Sequence, residues 1–261
     1  MSVRLDNYHL LVTRPEDQAV PWVKQLKALG ASVSLQPMMV IKPVTEVSAK
    51  QRITNHILAF DTYQKAIFIS QNAVKYGLQW LDQYWPQLPM GVAFFAIGKA
   101  TLAALENNTM QLDIHSASEA MNSEALLSHK HLQHINGENI IIFRGQGGRR
   151  YLAEQLRERG ANVDYCELYQ RVAPSHSLQP LEPTFKSSDK QTVLVVHSGE
   201  TLENLCNIIE QNDLLWLLKQ PILLPGERVA ELAANAGFSQ RIVAHNATHN
   251  SMIEALYDWQ Q

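Results

Sequence analysis

Six short segments of this chain could hold an anion, and one tyrosine near them could deliver a proton. The segments are Thr13-Arg14-Pro15, Ser70-Gln71-Asn72, Gly98-Lys99-Ala100-Thr101, Arg144-Gly145-Gln146-Gly147-Gly148-Arg149, Ser198-Gly199-Glu200-Thr201 and Pro225-Gly226-Glu227. Each follows a short apolar run and precedes a stretch of helical period. Helix starts of this kind present free backbone N–H groups and the positive end of the helix dipole, which suit carboxylates or phosphates. The candidate contacts are Thr13, Arg14, Ser70, Asn72, Gly98, Thr101, Arg144, Gly148, Arg149, Ser198 and Gly199. The plainer alternative is that the Ser, Thr and Asn residues only cap helices. Tyr169, in Glu167-Leu168-Tyr169-Gln170-Arg171, is either an amphipathic side chain bridging a strand and a connector or a proton donor, since a phenol stays protonated at neutral pH.

Other chemistries find little support. The Gly145-Gln146-Gly147-Gly148 turn lacks the third glycine of a dinucleotide fingerprint, although Asp164 lies about where a ribose-binding acid would stand. His129, His131 and His134 fall close together, but no Cys or Asp stands beside them at ligand spacing, so a polar surface segment is expected. His197-Ser198-Gly199 lacks the preceding glycine of a nucleophile elbow. Arg157 and Arg159 read as a solvated helix face. Cys166 and Cys206, the only two cysteines, stand in apolar contexts and read as free thiols in a reducing compartment. The formal charge of −3 gives no general attraction to nucleic acid or to an anionic membrane, so an anionic ligand must be held by local groups. The first residues contain no apolar signal core, and no apolar run approaches membrane-spanning length; the expected location is the cytoplasm.

The elements that must position these turns repeat. Leu10–Arg14, Gln25-Leu26 and Gly30-Ala31-Ser32-Val33 recur as Ile140–Arg144, Gln155-Leu156 and Gly160-Ala161-Asn162-Val163, at a spacing of 130 residues. In the first copy His9–Thr13 reads as a buried strand, Pro15 suits a first helical turn, Trp22, Val23, Leu26 and Leu29 form an inner face, and Ala31–Gln36 is the next strand. The second copy runs from Asn139 through Leu152 and Leu156 to a strand over Asn162–Cys166. Further strands are expected at Ala66–Ser70, Val92–Ile97, Gln111–His115, Thr192–Ser198, Ile222–Leu224 and Arg241–His245, most followed by helices. Such alternation predicts an α/β protein of two similar three-layer lobes with parallel sheets. A pair of lobes encloses a cleft where ligands tend to bind. The chain length of 261 residues suits one large domain or two ordinary ones. Pro37–Thr45 and Gln170–Lys190 read as connectors, and lying side by side they would make a two-stranded extended linker.

In order and spacing these segments resemble the uroporphyrinogen-III synthase family over essentially the whole chain. The carriers are Leu11-Val-Thr13-Arg14-Pro15, Phe68-Ile-Ser70-Gln-Asn72-Ala73-Val74 and Ala96-Ile-Gly98-Lys-Ala-Thr101. They continue with Arg144-Gly-Gln-Gly-Gly148-Arg149, Leu156-Arg-Glu-Arg159-Gly160-Ala161, Tyr169-Gln-Arg171, His197-Ser198-Gly-Glu-Thr201-Leu-Glu-Asn204 and Ala233-Ala-Asn-Ala-Gly237-Phe238. Pro225-Gly-Glu-Arg228 departs from the family's common Gly-x-x-Thr turn.

The resemblance implies a first domain over 1–36 plus 173–261 and a second over 39–169, so that repeat halves and physical domains differ. It implies cofactor-free and metal-free closure of the linear tetrapyrrole hydroxymethylbilane, with loss of water and inversion of ring D, as part of tetrapyrrole (heme and siroheme) biosynthesis. Loss of the terminal hydroxyl gives an azafulvene; attack through a substituted ring position gives a spiro intermediate, which reopens and recloses. Unassisted, the substrate closes without inversion, so positioning and charge stabilisation suffice to select the product. Tyr169 matches the family tyrosine that assists departure of the hydroxyl, and Ser70, Thr101 and Ser198 match polar cleft positions. A monomer that receives its substrate by transient hand-over from hydroxymethylbilane synthase is the family expectation. Two other classes compete: a non-catalytic bilobed binder of a small anion or tetrapyrrole, and a nucleotide-dependent transferase.

Overall fold

A computed structural model describes residues 4–115, 122–174 and 190–259. The chain runs β1 (Tyr8–Val12), α1 (Glu16–Ala28), β2 (Ser32–Leu35), β3 (Val40–Pro43), α2 (Val47–Leu58), β4 (Lys65–Phe68), α3 (Gln71–Tyr84), β5 (Ala93–Ala96), α4 (Lys99–Glu106) and β6 (Asp113–Ile114). Then come α5 (Ser123–Leu127), β7 (Asn139–Gly145), α6 (Tyr151–Glu158) and β8 (Asn162–Val172). The last stretch holds β9 (Gln191–Val195), α7 (Gly199–Gln211), β10 (Ile222–Leu224), α8 (Glu227–Asn235), β11 (Arg241–Val243) and α9 (His249–Trp259). Two compact units result, one of Met1–Val40 with Val172–Gln261 and one of Ile41–Arg171.

The first unit is built on a sheet of order β11-β10-β9-β1-β2, with every pairing parallel. Parallel strands need crossovers, and here helices bury both faces, so successive strand residues feed opposite cores. Leu11, Leu194, Ile222 and Leu224 pack with Leu202 and Leu205 of α7 and Val229 of α8. Leu10, Val12, Val193 and Val195 pack with Trp22 and Leu26 of α1 and Met252 and Leu256 of α9. Three layers follow from that alternation.

The second unit repeats the plan on a sheet of order β3-β8-β7-β4-β5-β6. Phe68, Phe94, Ile141 and Phe143 face Ile53 and Ile57 of α2, Val74 and Leu81 of α3 and Leu105 of α4. Ile67, Phe95, Ile140 and Ile142 face Leu126 of α5 and Leu152 and Leu156 of α6. The sequence echo is preserved even in strand register. His9 pairs with Ser32 and Asn139 with Asn162, so both partners of the first pair sit 130 residues before those of the second.

Most expected strands appear one to three residues shorter than read, because their ends, such as Ser70 and Ser198, serve as helix caps. Pro15 stands just before α1 rather than inside its first turn. The strand expected over Asn162–Cys166 is the exception and runs on to Val172. Its polar residues Glu167, Gln170 and Arg171 resemble a connector, yet β7 pairs with it as far as Gly145↔Tyr169, past an irregularity between Arg144 and Gly145. β3, within the expected connector Pro37–Thr45, neighbours β8 in the sheet, so the two passages of chain between units are adjacent strands. Of the second expected connector, residues 175–189 lie outside the described residues.

Candidate active site

The register of β7 against β8 places Gly145 beside Tyr169. A side chain there is impossible without movement: a Cβ on Gly145 would lie 2.5 Å from Tyr169 Cε2 and 2.8 Å from its Cζ. The bare glycine lets the phenol ring lie flat against the strand, where it is only 3% exposed. Its hydroxyl is 2.8 Å from Ser70 Oγ. Ser70 in turn caps α3, accepting from Ala73 N–H at 3.0 Å, so its hydroxyl oxygen is held by the helix. The Tyr76 ring, 5.9 Å away between centroids, packs against Tyr169. Position and orientation of the hydroxyl are thus set from three sides.

After β7 the chain wraps around the guanidinium of Arg144, which is 4% exposed. It donates to the carbonyls of Gly145 at 3.1 Å and Arg149 at 3.2 Å, and also to that of Gly147. Gly147 and Gly148 take positive φ of 74° and 85°, which turns the loop back over the charge at little steric cost. The Arg144 guanidinium also lies 4.5 Å from the Tyr165 ring centroid. Arg144 therefore builds the loop, and Arg149 stands exposed at its end. A cavity of about 250 Å³ lies here, lined among others by Tyr169, Tyr165, Arg144, Arg149, Arg171 and Ser123 at the start of α5. Its wall thus combines a fixed phenol and three arginines with one carboxylate, Glu124, a net positive set suited to a carboxylate-bearing ligand.

Of the residues expected to bind, the second unit gathers Ser70, Arg144, Gly148 and Arg149 around Tyr169. Asn72, Gly98 and Thr101 lie outside the lining of this cavity, and Thr101 is buried in the core side of α4. In the first unit, Thr13 is fully buried and donates to the Val195 carbonyl at 2.7 Å, so its hydroxyl ties β1 to β9. Ser198 forms a capping box with Thr201, and Gly199 is the first residue of α7. Arg14 is half-buried and lies 3.3 Å from His249 Nε2. Among the histidines, His115 rather than His134 joins His129 and His131, with ring centroids 4.8 and 5.4 Å apart along the series. Among the described residues no group of three or more His, Cys, Asp or Glu could hold a metal.

Sequence reasoning gave no binding role to Tyr165, Arg171, His197 or His249. The turn after β11, Asn246-Ala247-Thr248, carries the same signal as the six segments singled out, an apolar run followed by capping residues, and would have pointed to His249.

His197 is in an unusual state. Burial first, then the charges of Arg14 and His249, push its ring down to about 3. The native protein keeps it neutral, while the unfolded chain protonates it at the ordinary histidine value near 6.5. As pH falls below 6.5, the unfolded state gains a proton that the native state refuses, so stability declines until about pH 3, where both bind it. His9, His129 and His249, also shifted downward by burial, act in the same direction. The expected result is a melting temperature that drops between pH 6.5 and 4. His197→Phe should remove a share of that slope worth on the order of 3 kcal/mol, checked by thermal melts across pH.

Comparison with known proteins accords with this arrangement. Residues 20–254 match the family described as uroporphyrinogen-III synthase HemD. A uroporphyrinogen-III synthase of Escherichia coli is 33% identical over 251 residues, covering 95% of this chain and 99% of that protein. The corresponding protein of Salmonella typhimurium is 33% identical over 248 residues, with coverage of 95% and 99%. In fold, the solved uroporphyrinogen-III synthetase of Helicobacter pylori superposes with a TM-score of 0.62 at 12% identity, over 97% of this chain and 99% of that one. A mutant uroporphyrinogen III synthase from Thermus thermophilus gives 0.57 at 14% identity, over 97% and 100%. Two repeated parallel α/β units, an ordered series of strand-end turns and a match running nearly end to end lead to one conclusion: the chain belongs to the uroporphyrinogen-III synthase family.

Proposed function

We propose that this protein closes hydroxymethylbilane to uroporphyrinogen III, inverting ring D and releasing water. The observation that carries the reading is Tyr169, whose hydroxyl is held 2.8 Å from Ser70 Oγ and which lines a cavity together with Arg149 and Arg171. Departure of the terminal hydroxyl as water requires a proton. A positioned phenol donates one, and Ser70, itself anchored by Ala73 N–H, holds that phenol in place. The substrate bears eight carboxylates, for which arginines and helix starts are the natural partners on a chain of net charge −3. Because the unassisted closure yields the type I isomer, catalysis consists mainly of holding the ends so that inverted attack wins. No helix among the described residues is long and apolar enough to cross a membrane. On this reading the protein works in the cytoplasm as a monomer, taking its substrate by transient hand-over from hydroxymethylbilane synthase.

The deciding experiment is incubation with freshly made hydroxymethylbilane and separation of the products. Type III product in excess of type I supports the reading, whereas a type I mixture identical to the protein-free control refutes it and leaves a non-catalytic anion binder. Arg14 and Arg149 are expected to contact substrate carboxylates, since both lie in turns that lead from a strand to the start of the next helix. Either Arg→Ala change should raise KM about tenfold, in line with loss of one hydrogen bond to a charged group. Steady-state kinetics check this, and an unmoved KM in both variants would place the two arginines away from the substrate.

A further inference from the structure

The first unit contains a cluster of basic and donor groups that meets no carboxylate among the described residues. Arg14 lies in the turn after β1, His197 in the turn after β9, and His249 opens α9 after β11, so all three follow strands of one parallel sheet. The Arg14 guanidinium reaches Gln18 Oε1 at 3.3 Å and His249 Nε2 at 3.3 Å, and among the described residues it meets no carboxylate. Trp22 of α1, fully buried, joins the two imidazoles. Its ring stands edge-on to His197 with centroids 4.9 Å apart and stacks on His249 at 5.5 Å. Both ring nitrogens of His197 and the indole nitrogen of Trp22 are shut off from solvent without a hydrogen-bond partner among the described residues.

Two features of this group are costly in an empty protein: buried donors left unmade, and a half-buried cation without a counter-charge. An anion relieves both in part, giving the guanidinium its counter-charge and one His197 nitrogen an acceptor. The guanidinium fork fits the two coplanar oxygens of a carboxylate, and imidazole N–H groups donate to the same oxygens. We propose that Arg14, His197 and His249 form a carboxylate subsite that takes one acid side chain of the substrate. The subsite rests on the hydroxymethylbilane reading above and adds two histidines to Arg14. In the empty state Arg14 donates to His249 Nε2, which fixes that ring as neutral with its proton on Nδ1. When a carboxylate enters, Arg14 turns its N–H from the imidazole to the ligand oxygen. His249 Nε2, released, takes a proton from solvent and becomes a second donor, and His197 supplies a third N–H. Binding is therefore accompanied by proton uptake.

The test uses glutarate as a small dicarboxylate probe and the imidazole nitrogens as the reporter. In ¹⁵N-labelled wild-type protein, glutarate should move the ring signals of His249 toward imidazolium positions and shift those of His197, still neutral, as its N–H gains an acceptor, and Arg14→Ala should abolish both responses. Signals that stay still up to about 50 mM glutarate, a concentration that would reveal even millimolar affinity, overturn the proposal. His197→Phe and His249→Phe preserve the aromatic packing around Trp22, and thermal melts confirm that they fold. Each should raise KM for hydroxymethylbilane about tenfold while kcat holds, and KM values equal to wild type in both folded variants overturn it as well. Failure of the two readings separates cleanly. Type III product together with unmoved imidazoles removes the subsite and leaves the activity, while a glutarate response without type III product removes the activity and leaves the site.

Discussion

Tyr169→Phe lowers kcat for type III product about 100-fold, the scale of a single positioned proton donor, and leaves KM nearly unchanged. The substitution deletes one oxygen from a ring that is 3% exposed and packed against Tyr76, so the ring keeps its place. Ser70 retains its bond from Ala73 N–H, and the stability loss is confined to about 1 kcal/mol for the lost Tyr169 contact. Slow enzymatic turnover lets spontaneous closure compete, so the share of type I product rises in parallel. Stopped-time assays with isomer separation, beside a thermal melt, measure both. A variant that melts like wild type and turns over at the wild-type rate would take Tyr169 out of the chemistry.

Gly145→Ala is expected to cost both stability and rate, for a steric reason alone. The added Cβ would stand 2.5 Å from Tyr169 Cε2, and the ring has no free direction in which to retreat with Ser70 and Tyr76 around it. Overpacking of this kind costs about 1–3 kcal/mol. A hydroxyl displaced by about 1 Å from its productive position loses on the order of 100-fold in rate. Gly137→Ala is the matched control: φ there is +79° and nothing lies within 4 Å of an added methyl, so only backbone strain of about 1–2 kcal/mol is expected and kcat holds. Comparison of melting temperature and kcat between the two variants separates a general loss of stability from misplacement of Tyr169.

The architecture was largely legible because it rests on short-range signals. Apolar runs such as Ile140–Phe143 and Ile222–Leu224, bounded by turn residues, read as buried strands, and the 130-residue echo carried the β-α-β units down to their register. The candidate site was half legible. Ser70 and Arg149 could be named from turn chemistry, and Tyr169 from its place at the end of the echo and from the family resemblance, but the division of labour between Arg144 and Arg149 could not. Both are arginines of one turn, and only the path of Gly147 and Gly148 decides that the first is enclosed by carbonyls and the second left outside. Similarly, Thr13 and Thr101 have the right side chains for binding, yet burial commits one to the Val195 carbonyl and the other to the interior of its helix face. The group of Arg14, Trp22, His197 and His249 was beyond reach, because its members come together only when strands distant in sequence become neighbours in one sheet. The extension of β8 to Val172 escaped notice for the opposite reason, since its polar residues look like a loop when taken one at a time.

The placement of β1 has a consequence for how the chain is made. It lies inside its sheet between β2 and β9, and its partner Gln191 stands far down the sequence from Tyr8. On the ribosome, the first 40 residues emerge with their main partner strand still untranslated, whereas Ile41–Arg171 is delivered as one uninterrupted piece. The inserted unit thus has all its strands before β1 has β9, and β1 lacks its inner partner until translation passes β9. That interval of exposed apolar strand is the stage at which a chaperone has most to offer this protein.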